Sequence, residues 1–241
     1  MDFKLPTEIV ELPSKGLLYP TDNPLSSGQV EIKYMTAKEE DILTNANYIN
    51  EGTVLDRLMK SLIVSDINYN DLLIGDKNAI MIASRILGYG KDYKFTYQGE
   101  THTVDLTQLE NKTIDESLFS RGSNRFSFTL PTTNVTIEFK LLTHKDEMDI
   151  VQEIKGLKKI NANNSADLTT RLKHMIISVD GSEERSDIRK FVDNYLLAQD
   201  ARALRTYINE IQPDVDLTFF RGQSGERTSI PIGLNFFWPD F

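Results

Sequence analysis

The residues best suited to acid–base or metal chemistry near neutral pH are His102, His144 and His174. None lies four positions from another, and none falls in an H-E-x-x-H pattern, so no zinc-binding helix is written locally. Cysteine is absent, which removes disulfides, thiolate metal sites and cysteine nucleophiles. The spacing puts His102 in a hairpin, His144 at a helix cap and His174 inside a helix. No metal site and no cofactor is expected.

Carboxylates come in three groups: Glu39, Glu40 and Asp41; Asp146, Glu147 and Asp149; Glu183, Glu184 and Asp187. Paired carboxylates can hydrolyse glycosides. The first two groups, however, fall at expected helix N-termini, where the helix dipole stabilises negative charge without any catalytic role. The segment SDINYNDLLIGD lacks the glycine position of a calcium loop. GYGK at 88–91 is neither a P-loop nor a dinucleotide fingerprint, and no G-x-S-x-G elbow presents a serine. Lys77, Arg85, Arg202 and Arg205 lie on expected helices and read as solvated faces. No catalytic residues are assigned.

The elements that would position these residues follow from periodicity. Val30–Tyr34 alternates like a half-buried strand. Thr36 and Glu39 form a capping box, followed by a helix through Ile49, a second over Val54–Val64 and a third near Lys77–Leu87 that Gly88 and Gly90 end. Tyr93–Tyr97, the turn Gln98-Gly99 and His102–Leu106 read as a hairpin. The second half runs in the same order: a strand over Val135–Leu142, a box-like cap at Thr143 and Asp146, and helices over Glu147–Lys159, Leu168–Ser178 and from about Ile188 or Phe191 to Ile211. A second hairpin follows, Leu217–Phe220 with Thr228–Ile232.

Arg57–Ile63 matches Arg171–Ile177, and Leu72–Asp76 matches Leu196–Asp200. The expected fold is therefore α+β and mainly helical. It has two related halves, residues 28–110 and 130–235, each with a strand, several helices and a β-hairpin. We read this as an internal duplication, a pseudo-two-fold pair on a shared core.

Composition bounds the function class. The 241 residues carry 27 Lys and Arg against 36 Asp and Glu, a net charge of −9. That disfavours broad contact with phosphate backbones. The N-terminal sequence has no apolar signal core, and no apolar stretch is long enough to span a membrane. Neither nucleic acid, membrane insertion nor a small-molecule substrate is expected.

The two ends stand apart. Pro6, Pro13, Pro20 and Pro24 make residues 1–27 an extended segment, read as an N-terminal arm. Residues 236–241 form an aromatic tail holding the chain's single Trp. Aromatic anchors dominate interface energetics. Such an arm either lies on its own domain or docks on a neighbouring subunit, and such a tail either folds back on its own core or inserts into a partner; the residues that would make partner contacts are Leu12, Leu17, Leu18 and Tyr19 in the arm and Phe236, Phe237, Trp238 and Phe241 in the tail. On this reading, truncation before Phe236 weakens incorporation into an assembly but leaves the fold intact.

Five blocks in order, LPSKGLLYP, VEIKYMTAKEEDILTN, DLLIGDKNAIMIASRILGYG, FVDNYLLAQDARALR and IPIGLNFFWPD, resemble the baseplate hub protein family of T4-like contractile-tailed phages, above all its marine cyanophage versions. The resemblance spans about Leu12 to Pro239. It implies a non-enzymatic component of the virion tail baseplate that is assembled in the host cytoplasm. The implied partners are hub, tube or wedge subunits and the tape-measure protein. The same resemblance also fits a transient assembly factor that leaves before the virion matures.

Overall fold

The computed structural model describes residues 5–160, 166–221 and 226–237. The fold is α+β, with eight helices and small antiparallel sheets among these residues.

In the first half, β1 (Thr7–Glu11) pairs antiparallel with β2 (Gln29–Lys33), Val10 opposite Val30. Val10, Val30 and Ile32 point inward and are buried, as period-two alternation requires. The connection turns sharply at Lys15 and Gly16, both at positive φ. Glycine is required at the second position, since a Cβ on Gly16 would lie 2.4 Å from the Ser26 carbonyl oxygen.

Helices α1 (Ala37–Leu43), α2 (Ala46–Glu51) and α3 (Val54–Leu62) follow. One helix was expected across the first two. Asn45 divides it, because its side chain accepts from the Asn47 and Tyr48 N–H groups and caps a new start. The buried face of α3 is Val54, Leu58, Met59 and Leu62. Helix α4 (Ile74–Tyr89) lies partly in the core, with Ile80 fully buried. At its first turn a Cβ on Gly75 would meet the Pro213 carbonyl oxygen at 1.9 Å, so glycine lets the second half's chain press against it. β3 (Asp92–Tyr97) and β4 (Glu100–Asp105) form the expected hairpin. Gln98 and Gly99 both have positive φ, the geometry of its two-residue turn.

The second half contains β5 (Phe126–Thr129), β6 (Thr136–Phe139), α5 (His144–Ile160), α6 (Asp167–Met175), β7 (Ile176–Val179), α7 (Arg185–Asn194), α8 (Ala198–Ile211), β8 (Thr218–Arg221) and β9 (Glu226–Ser229). Strands β5, β6 and β7 form one antiparallel sheet in that order. Two expectations change here. The helix expected over Leu168–Ser178 stops at Met175, and Ile176–Val179 is a strand, as its β-branched Ile176, Ile177 and Val179 favour. The helix expected to run to Ile211 is broken at 195–197, where Leu197 is extended. The loop of the last hairpin lies outside the described residues.

The two halves share three local devices. Lys33 and Thr36 hold Glu39 in the first, and Lys140 and Thr143 hold Asp146 in the second. After α3, Ile63 returns to bridge Ile32 of β2; after α6, Ile176 returns to pair with Phe139 of β6. Leu12-Pro13-Ser14 after β1 has its like in Leu130-Pro131-Thr132 after β5, and each turn hydrogen-bonds a buried Asp in the first turn of a later helix. Ser14 N–H and Oγ donate to Asp76, while the Thr132 and Thr133 N–H groups and Thr133 Oγ donate to Asp200. This third device places residues 7–27 in the same structural unit as the helices that follow.

Among the described residues a single hydrophobic core runs through both halves, from Val10 to Phe237. The segment 5–27 therefore packs on the chain's own core, through Val10, Leu12, Leu18, Tyr19 and Leu25.

Candidate functional site

Of the residues singled out for partner contact, the described ones take the alternative in which arm and tail pack on the chain's own core. Leu12, Leu18, Tyr19, Phe236 and Phe237 are buried in the chain's own core, and Leu17 is half-buried. Trp238 and Phe241 lie outside the described residues. Phe236 stacks edge-on against Tyr93, and its carbonyl accepts from the Arg85 Nε–H at 2.8 Å. The physical reason is area: each of these aromatic and aliphatic side chains gains more by filling the core than an exposed arm or tail would. The five buried side chains are scaffold and do not offer a docking surface.

What the structure does bring together is a seam between the halves. The N–H of His144, first residue of α5, donates to the Leu72 carbonyl at 2.7 Å. The Ile74 N–H donates to the Leu142 carbonyl at 3.2 Å. Leu73 and Thr143 thereby form an antiparallel bridge. Tyr19 supports this edge, its hydroxyl accepting from the Leu73 N–H and donating to Asp76. Burial and the adjacent Asp76 carboxylate push the Tyr19 hydroxyl's pKa well above its ordinary value. Burial likewise raises the Asp76 carboxyl, against the hydrogen bonds from Tyr19 and Ser14.

Beside the bridge sits a polar cluster from four elements. Lys77 of α4 contacts Asp56 of α3 at 2.9 Å and His144 Nδ1 at 3.2 Å. The Tyr69 hydroxyl donates to Asp56 at 3.2 Å, and the Tyr69 ring meets the imidazole edge-on. His144 is buried, and burial together with the Lys77 charge holds its pKa below the ordinary histidine value. A cleft of about 530 Å³ opens over the cluster, rimmed by Arg57, Lys60, Lys145 and Asp149. Asp56 also lies 3.6 Å from His144 Nε2, so the carboxylate, the imidazole and the Lys77 ammonium form one charge cluster. The arrangement fastens α3, α4 and α5 together.

The other histidines are separate. His102 packs its ring against Phe95 and Phe219, and His174 pairs with Glu153 at 2.9 Å. Among the described residues no group of three His, Asp or Glu side chains is placed to hold a metal ion, and no helix is long and apolar enough to cross a membrane.

Exposed apolar residues lie elsewhere. Leu5 and Ile9 lie at and before the edge strand β1, with Val64 beyond β2. Tyr195 and Leu197 lie in the break before α8. Leu196 and Leu197 repeat Leu72 and Leu73 in the sequence, but exposure is set by what the neighbouring half covers, and no local pattern carries that.

The seam is made in one direction only. Thr36 is to the first half what Thr143 is to the second, yet among the described residues Leu197 makes no bridge to it. No known protein family, curated protein or solved structure matches the chain.

Proposed function

We propose that this chain is a non-enzymatic structural component of a contractile-tailed phage baseplate, in the hub region, acting through protein–protein contacts in tail assembly. The carrying observation is the ordered set of five sequence blocks between Leu12 and Pro239 that resemble the hub family. The site geometry agrees with this reading. The polar cleft beside the seam uses its charges to hold helices together, while apolar side chains stand exposed at β1 and before α8. An assembly protein presents exposed apolar surface of this kind.

In a phage encoding the chain, a nonsense mutation should leave heads filled and normal while tails fail to complete. Supplying the chain in trans should restore infectious particles. Complete, infectious tails without it would contradict the proposal.

A further inference from the structure

We infer that a second copy of this chain docks head to tail on the first, the break before α8 of one copy joining the α1 N-terminus of the next. The argument starts from the joint already made within the chain. There, Leu72, Leu73 and Ile74 at the start of α4 meet Leu142, Thr143 and His144 at the start of α5, with two backbone hydrogen bonds and the Leu73–Thr143 bridge. Both sides of that joint occur twice. Leu196, Leu197 and Ala198 stand before Asp200 as Leu72, Leu73 and Ile74 stand before Asp76. Met35, Thr36 and Ala37 stand before Glu39 as Leu142, Thr143 and His144 stand before Asp146.

The second pair of edges is open. Leu73 is 4% exposed and Leu197 46%; Tyr195 beside it is 56% exposed. His144 is buried, whereas Ala37 is exposed. Among the described residues, the Ala198 N–H and Leu196 carbonyl have no hydrogen-bond partner, and neither do the Ala37 N–H and Met35 carbonyl. These are the same donor and acceptor positions that Ile74, Leu72, His144 and Leu142 satisfy in the internal joint. An exposed Leu and Tyr flanking an unused donor–acceptor pair matches a surface that carries the complementary pair, and this chain itself supplies that surface. A contact of this kind is heterologous: it uses two different patches and continues from copy to copy, giving a ring if the rotation closes and an open filament if it does not.

The inference does not depend on the baseplate reading and is tested on the purified full chain. Sedimentation velocity over a wide concentration range should show species larger than a monomer. Leu197→Glu, at an exposed position, should raise the apparent dissociation constant at least about tenfold without shifting the thermal midpoint. Ala37→Pro tests the other side. It removes the N–H, while proline is tolerated at the first helical position after extended Thr36, so association should again weaken with the fold kept. Mixing the two variants should restore a dimer and nothing larger, because each retains one intact edge. A wild-type chain that is monomeric at every concentration would overturn the inference, including the case in which a different protein covers the edge. Association that survives either substitution, or variants that fail to pair when mixed, would overturn it as well.

Discussion

The Tyr19 hydroxyl accepts a hydrogen bond from the Leu73 N–H at 2.9 Å and donates one to Asp76 at 2.6 Å. One side chain from the N-terminal segment thus fixes the start of α4, and with it the edge that meets the second half. Tyr19→Phe removes both bonds and leaves a buried N–H and a buried carboxyl each short of a partner. The expected loss is about 1–3 kcal/mol, read as a lower urea midpoint at unchanged slope. No change in stability would mean that the edge is held by the Leu73–Thr143 bridge alone.

Glu39 is held by the Thr36 N–H and hydroxyl, by Lys33 and by Ser61. Burial works against its ionisation, but these hydrogen bonds outweigh it and hold its pKa down to about 2, from an ordinary 4.5. A depressed carboxylate stabilises the fold fully above its unfolded pKa, and the stabilisation is lost as pH falls through the folded pKa. Unfolding free energy should therefore decline from about pH 4.5 toward about 2, with Asp146, also depressed against burial by Lys140 and Thr143, adding to the loss. Glu39→Gln should cost about 1–3 kcal/mol at neutral pH and make the acid limb shallower. An acid limb as steep as in the wild type would show that Glu39 is not responsible.

His144 acts in a higher window with the same sign. Burial and Lys77 depress its pKa from 6.5, against the attraction of Asp56. The unfolded chain takes up the proton first as pH falls, so stability present above 6.5 declines below it. His144→Gln, which stays neutral, should flatten the stability profile between neutral pH and the carboxylate range. Equal slopes for the two proteins would contradict this account of the seam.

Phe236 and Phe237 are fully buried, which reverses the effect expected of the tail. Phe237→Ala should cost about 3–5 kcal/mol. Truncation before Phe236 should destabilise the fold itself, since it also takes the carbonyl that Arg85 uses. A truncated chain with an unchanged thermal midpoint would return both residues to the role of external anchors.

Local chemistry was legible in the sequence. Thr36 with Glu39 and Thr143 with Asp146 announced two helix starts, and Gln98-Gly99 announced a hairpin, because each signal is contained within a few residues. Burial of the ends was not legible. Leu12, Tyr19 and Phe236 look alike whether they fill a core or reach for a partner, and only the long-range position of Asp76 and Arg85 decides. β5 and β7 were missed because four-residue strands depend on the partner strand more than on their own pattern. The seam pairs residues about seventy positions apart, which no periodicity records.

The central claim, a permanent structural place in the baseplate, is tested most directly by counting. Quantitative mass spectrometry of purified virions and isolated tails, scaled to known baseplate subunits, should find the chain at a fixed whole number of copies per tail. Its absence from purified virions, with presence in assembly intermediates from infected cells, would contradict that claim and make the chain a transient assembly factor.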